Sequence, residues 1–466
     1  MRLRRKAPGP QLGPPGGGRS AAADYGKTAS FLAVGVGLTG VITYAYFFIA
    51  SHVLSKPDYG EITVLWSAVF ITVSTLYRPI DQLLSRHISE RLVKGEPVGE
   101  PMRVAAKIQL GLAAAFSALT LALRGPLQND LLGGNETLYW VFFSAVLFYA
   151  ASYFARGYLA GYRRFGLFTA LILSESAFRT LFAVLVAVSL LGGQSAVAIG
   201  IVAAPSLSLM VVPLAFARGA RSTEAPAKEP ASEFSMAHGT GFAAAVLLIM
   251  FSEQVFLNAG PLIVRGLEGA AAAGFIFNVL MIARAPLQLF QAVSTSILPH
   301  LTSLRTSTEP GSEGEFHRSV RMVLLAIAAF SAVVAAAVLI AGPQLMQLAF
   351  SDKFSYDRVG LLLITAGMGL YLSAVTINQA CLAQGQVRRA SARWIGCAAF
   401  FIVWCLLPLI GDEFRRVEIG FAATAGLLLT LLYAIYRRPH ERAEDIPAIG
   451  STEELEAQLA AVDEGV

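Results

Sequence analysis

Charge is scarce in this chain: of 466 residues only 14% are Asp, Glu, Lys or Arg, while 55% are hydrophobic. A typical soluble domain has roughly 25% charged residues. So little charge cannot cover a water-soluble fold of this length, so the solvent is mostly lipid. Cysteine is rarer still. Cys381, Cys397 and Cys405 all fall in apolar stretches without C-x-x-C spacing or a nearby histidine, which leaves them as small buried apolar residues. The six histidines are scattered singly, so a metal site has no ligand cluster to stand on. No Walker A loop, G-x-S-x-G elbow or dinucleotide fingerprint occurs, so neither an enzyme nor a cofactor is expected. Lys and Arg outnumber Asp and Glu, 36 to 31, but they sit in short loops rather than in one basic stripe. Nucleic acid is therefore not an expected partner.

What is abundant is apolar run. A helix needs about 20 apolar residues to cross about 30 Å of hydrocarbon. By that rule six spans fall near 29–54, 61–84, 104–124, 137–159, 166–191 and 195–217, and six more near 240–263, 270–298, 320–341, 359–384, 391–411 and 415–436. The fold class expected is an all-α polytopic membrane protein of about twelve transmembrane helices. Residues 1–28 read as a disordered basic tail, with Arg2, Arg4, Arg5 and Lys6 followed by a Pro/Gly-rich run. The first half is then 29–217. A breaker-rich linker occupies 218–239, with Pro226, Lys228, Glu229 and Pro230; the second half is 240–436, and an acidic tail fills 437–466. Within that tail Ser451-Thr452-Glu453-Glu454 reads as a capping box for a short soluble helix.

Orientation follows from loop charge. The side shared with both tails carries 24 Lys and Arg against seven on the other side. The expectation is an inner (cytoplasmic) membrane protein with both termini in the cytoplasm.

Six spans per half make both halves enter the membrane in the same sense, so a duplication would be a parallel repeat. Two traces of one are present. Leu159-Ala160-Gly161-Tyr162-Arg163-Arg164 ends span 4, and Leu382-Ala383-Gln384-Gly385-Gln386-Val387-Arg388-Arg389 ends span 10. Spans 2 and 8 share an arginine, a proline and then Gln-Leu: Arg78-Pro79-Ile80-Asp81-Gln82-Leu83 and Arg284-Ala285-Pro286-Leu287-Gln288-Leu289. The prolines mark both spans as places to kink.

Leu54-Ser55-Lys56-Pro57-Asp58-Tyr59-Gly60 resembles the "L-x-x-x-x-Y/F-G" approach to span 2 found in the polysaccharide transporter (Wzx-like oligosaccharide flippase) branch of the multidrug/oligosaccharidyl-lipid/polysaccharide exporter (MATE-like) superfamily. Ala273-Gly274-Phe275 and Leu298-Pro299-His300-Leu301 are similar to the start and end of that family's span 8. The resemblance implies two pseudo-symmetric six-helix bundles around a cavity that opens alternately to either side. It implies a cargo of oligosaccharide on a polyprenyl pyrophosphate, with a coupling proton or sodium ion, membrane lipids, and a glycan polymerase or glycosyltransferases as partners.

Ionisable residues inside spans are costly and face the protein interior or a water cavity. Glu175 and Arg179 in span 5 are four apart and share a helix face, roughly 13 and 19 Å into the span. They are either cavity residues or a structural pair. Arg284 in span 8 lies roughly 21 Å from the outer end, deep enough to meet phosphate, with Gln288 one turn on. Arg78 occupies the matching place in span 2, where it either faces the cavity or pairs with Asp81. Glu253 in span 7 is a lone acid, suited to taking up a coupling cation or to bonding a neighbouring helix. The candidate substrate-binding set is Arg179, Arg284, Glu175, Arg78 and Gln288, and the candidate ion-coupling set is Glu253 and Glu175. Arg156 and Lys107 read as topology residues near the cytoplasmic face. A mixed set with two deep arginines suits an anionic cargo, hence a lipid-linked oligosaccharide flippase. The alternatives are a cation-coupled drug antiporter of the same superfamily, which would use acids in its cavity, and a membrane glycosyltransferase or polymerase. The last would carry a large external loop, which the chain lacks.

Overall fold

The computed structural model describes residues 18–213, 236–294 and 312–437, and among them helix is the only regular element. Lipid offers backbone groups no hydrogen bonds, so a spanning segment must satisfy its own, and helices do so. In chain order the long helices are α1 (Gly18–Val53), α2 (Lys56–Leu76), α3 (Arg78–Lys94), α4 (Gly99–Ala122), α5 (Glu136–Gly161), α6 (Phe165–Ala187) and α7 (Gly193–Ser208). The second half holds α8 (Met236–Glu268), α9 (Ala270–Ser294), α10 (Ser312–Phe350), α11 (Arg358–Ala383), α12 (Val387–Leu406) and α13 (Glu413–Tyr436). Eleven of the described segments are long and apolar enough to cross a membrane, α2 and α3 counting as one. The remaining expected crossing is α9, whose described apolar stretch, Ala270–Arg284, is shorter. The helix α1 begins at Gly18, ahead of the expected span, in a run that includes the strong helix formers Ala21, Ala22 and Ala23. Most of the expected linker, the Leu298-Pro299-His300-Leu301 segment and the tail capping box lie outside the described residues.

The packing repeats between halves. In the first, α1 lies on α6, α6 on α7, α5 on α7 and α2 on α5; in the second, α8 lies on α12, α12 on α13, α11 on α13 and α9 on α11. The repeated motif at the ends of α5 and α11 has a backbone reason. Arg164 N–H bonds the Leu159 carbonyl and Arg163 N–H that of Ala160, while Gln386 bonds Cys381 and Gly385 bonds Leu382, each at 2.8–2.9 Å. Both helices thus end in the same left-handed cap. Gly385 takes a φ of 76° freely, whereas Arg163 holds 54° despite its side chain. At the paired prolines the halves differ: the helix breaks at Tyr77 ahead of Pro79, while α9 stays helical through Pro286 to Ser294.

The face where α1 begins and α13 ends is called here the terminal face. At the opposite face the two halves are sealed together, and the two family-like motifs meet there. Gly60 lies so close to the Ala270 backbone that a Cβ would overlap its carbonyl, and a Cβ on Gly274 would stand 3.2 Å from the Gly60 Cα. The Tyr59 hydroxyl donates to Asn278 Oδ1, and the Tyr59 ring lies 5.1 Å from Phe354. Three cations cross the seam. Lys56 sits 5.5 Å over Phe275. Lys353 donates to the His52 and Leu54 carbonyls at the end of α1, at 3.4 and 3.3 Å. Arg265 reaches to 4.0 Å from Glu61, whose other oxygen accepts from Gln194 at 2.8 Å. Deeper in, the Phe47 and Phe277 rings meet at a tilt, with centroids 4.6 Å apart. Beyond mid-helix α3 turns to its own half, packing on α4 and α5. Large apolar side chains such as Leu110, Leu119, Val333 and Leu348 face outward on α4 and α10, as a lipid solvent permits.

The glycine contact is testable. Gly60→Val should lower stability by about 1–3 kcal/mol through overpacking, read by thermal unfolding in detergent. Gly37→Val, where a Cβ meets nothing within 4 Å, should leave the midpoint nearly unchanged. Equal midpoints for the two variants would show that the seam tolerates a side chain there.

Candidate functional site

The residues singled out in the sequence fall into two groups. The first lies between the halves. Arg78 opens α3 immediately after the break in span 2 and is buried, as are Glu253 on α8 and Arg284 on α9. The fields of Arg78 and Glu253 overlap, and buried Tyr371 on α11 stands within the fields of Glu253, Arg284 and Arg78 together. Tyr44 on α1 donates its hydroxyl to the Met281 carbonyl, one turn before Arg284, and senses the Arg284 charge. Side chains from five helices are thus linked electrostatically, pair by pair, with Arg78 keeping Nε and Nη2, and Arg284 keeping Nε, without a hydrogen-bond partner. A guanidinium in that state can give in-plane N–H bonds to an oxyanion. Gln288 belongs to α9 one turn on, and its side chain lies outside the described residues.

The second group is inside the first half. Glu175 and Arg179 share a face of α6 as expected, yet Glu175 pairs with Arg156 of α5, with Nη2 and Oε2 at 2.5 Å. Its other oxygen accepts from the hydroxyls of Ser152 and, at 3.4 Å, Ser208. The reading of Arg156 as a topology residue is thereby corrected: the side chain is buried, 4.5 Å over the Tyr153 ring, because a buried carboxylate needs a cation. Lys107, by contrast, is exposed on α4. Arg179 turns the other way. Its guanidinium lies 4.4 Å from the Trp66 ring centre and 6.0 Å from those of Tyr46 and Phe70, with Nη2 donating to Ser176 at 3.3 Å.

Sequence reasoning missed Arg156, Tyr371 and the two serines. The signal for Arg156 was its place inside span 4; the others carried none, since a tyrosine or serine in a span is ordinary until its neighbours across the bundle are known.

A third polar set is structural and sits at the opposite face of the second half. Fully buried Glu418 accepts from the Tyr356 hydroxyl and pairs with Arg415 at 2.9 Å. Arg415 also pairs with Asp357 at 2.9 Å, and Asp357 caps α11 through the Val359 and Gly360 N–H groups. Partial burial opposes the charge on Asp357, yet the Arg415 guanidinium and these N–H groups hold its carboxyl below the usual value.

No protein-family model matches the chain and no curated protein matches it. Solved structures do. A multidrug resistance MATE family transporter of the MOP superfamily in an inward-facing conformation superposes with a TM-score of 0.61 at 12% identity, over 88% of this chain and 93% of that one. The chain has the MATE fold. A transporter of that description in an outward-facing conformation gives 0.58 at 13% identity over 88% and 95%, and a eukaryotic MATE transporter 0.54 at 14% over 95% and 99%. The first group draws its side chains from both halves of the chain and the second from the first half alone.

Removing one member of a buried ion pair costs about 3–5 kcal/mol, while replacing both with apolar groups is often near neutral. Glu175→Gln should therefore destabilise strongly, and Arg156→Met with Glu175→Leu should recover most of the loss in thermal unfolding. A double variant as unstable as the single one would show that something other than this pair joins α5 to α6.

Proposed function

We propose that the chain is an alternating-access flippase that carries an anionic amphipath, an oligosaccharide on a polyprenyl diphosphate, across the cytoplasmic membrane. The observation that carries this reading is a pair of buried guanidinium groups, one from each half, with open donors: Arg78 keeps Nε and Nη2, and Arg284 keeps Nε, without a hydrogen-bond partner. Open donors of this kind favour an anion, and arginine suits phosphate because its planar donors bond two oxygens at once. Arg78 and Arg284 come from matching places in the two halves, so a diphosphate held between them would be handed over as the halves rock. The cargo's lipid stays in the bilayer, and only the head group needs the polar path.

The excess of loop Lys and Arg makes the terminal face cytoplasmic. With the seam closed at the opposite face, the described conformation is then the one that loads from the cytoplasm. Glycosyltransferases would supply the cargo and a polymerase or transferase outside would consume it.

Glu253 favours a second reading, a cation-coupled drug antiporter, because an acid beside the central site can hold a proton, sodium ion or cationic drug. Under the flippase reading the same residue takes the coupling cation, a role open to it and not to Glu175, whose oxygens are engaged.

Proteoliposomes loaded with a fluorescent polyprenyl-diphosphate glycan separate the readings. Arg284→Gln and Arg78→Gln should each slow flipping by at least about tenfold, the cost of truncating one partner of a charged hydrogen bond, while the protein still inserts. Glu253→Gln should flatten the dependence of flipping on proton or sodium gradients. Flipping at the parent rate in both arginine variants, or uptake of a lipophilic cation with none of the diphosphate lipid, would replace the flippase with the antiporter.

A further inference from the structure

We propose that the core of the first half binds a small monovalent anion of the halide class, between the guanidinium of Arg179 and the hydroxyl of Tyr149. This site is separate from the central one and does not rest on the identity of the cargo. Arg156 and Glu175 cancel each other, so Arg179 leaves one uncompensated positive charge in the bundle. Arg179 is 3% exposed and Tyr149 is 1% exposed. The Nε and Nη1 groups of Arg179 and the Tyr149 hydroxyl all lack a hydrogen-bond partner. Tyr149 stands on α5 with its ring 5.8 Å from that of Phe70, the ring that lies 6.0 Å from the Arg179 guanidinium on α6, and it is within the field of Arg179. Two buried donors from facing helices thus share one region with nothing to accept from them, an arrangement that costs stability until an acceptor arrives.

The acceptors nearest to Arg179 on its own helix are spent. Both oxygens of Glu175 are engaged, one by Ser152 and Ser208 and the other by Arg156, and the Ser176 oxygen already serves Nη2. Trp66, Tyr46 and Phe70 gather around the guanidinium, with Trp66 nearest, and its in-plane N–H edge is where an anion bonds. The surrounding rings are themselves buried, so an ion reaching this place must shed its water. That favours a weakly hydrated halide over sulfate or phosphate. One such ion brings the cluster to neutrality.

Purified protein in sodium gluconate, titrated with sodium bromide at constant ionic strength, tests the site. Bromide beside Trp66 should quench tryptophan emission saturably, with the unfolding temperature rising over the same concentrations and chloride competing. Tyr149→Phe keeps the ring and removes one donor, and should raise the half-saturating concentration about tenfold; Arg179→Gln should abolish both signals. Trp66→Phe should lose the saturable quench and keep the thermal shift. A quench that rises linearly and equally in the Tyr149→Phe variant, or an unfolding temperature blind to the exchange of gluconate for bromide, overturns the proposal. Stabilisation by inorganic pyrophosphate with none by chloride or bromide also overturns it, and assigns Arg179 to the cargo.

Discussion

A guanidinium group placed inside a lipid-spanning bundle must find its compensation within the protein or from what the protein binds. Much of this chain's interior is organised by that requirement. Arg156 meets it with the carboxylate of Glu175, and in doing so fixes α5 against α6 and consumes the acid that would otherwise serve Arg179. Arg179 is left with aromatic faces, a weaker substitute. Arg78 and Arg284 are buried with guanidinium N–H groups left open, and they sit where the two halves face each other. That gradient, from a closed ion pair in the bundle to open donors between bundles, is the physical basis for reading the centre as a binding site.

Alternating access needs the two halves to separate at one face while they close at the other. On the proposed function, the contacts of the closed face must be reversible. Glycines at 60 and 274 let backbones touch without interlocking side chains, and the cations Lys56, Lys353 and Arg265 reach across to a ring, to helix-end carbonyls and to a carboxylate. Each of these is modest and partly exposed, so water can replace it when the seam opens. The matched left-handed caps at Arg163 and Gly385 give both halves the same sharp exit at the terminal face, which keeps the two bundles as repeats of one packing unit.

Much of this was legible in the sequence because bilayer thickness and backbone satisfaction leave few choices. Helix positions follow from apolar length, and the internal repeat left traces at Leu159-Ala160-Gly161 and Leu382-Ala383-Gln384 that turn out to be cap geometry. The short motifs around Tyr59-Gly60 and Gly274-Phe275 were visible as motifs, but their meeting across the seam was not. A single sequence carries helical periodicity and local caps; it does not carry which helix lies beside which. For that reason the i,i+4 spacing suggested Glu175 with Arg179, while the fold chose Arg156, and Tyr371 went unremarked until Arg78, Glu253 and Arg284 were seen around it. The paired prolines were read alike, yet only the one at Pro79 follows a break, because Tyr77 there leaves the regular helix before it.

The central claim is that an anion bound between the halves drives them from one facing to the other. Spin-label distances across the seam, in lipid nanodiscs, measure it directly, with one pair at Pro57 and Leu267 on the closed face and another at Leu92 and Arg388 on the terminal face. Addition of a polyprenyl-diphosphate oligosaccharide should lengthen the first distance and shorten the second together, with no change on adding a lipophilic cation. Reciprocal movement with the cation and none with the diphosphate would contradict the account.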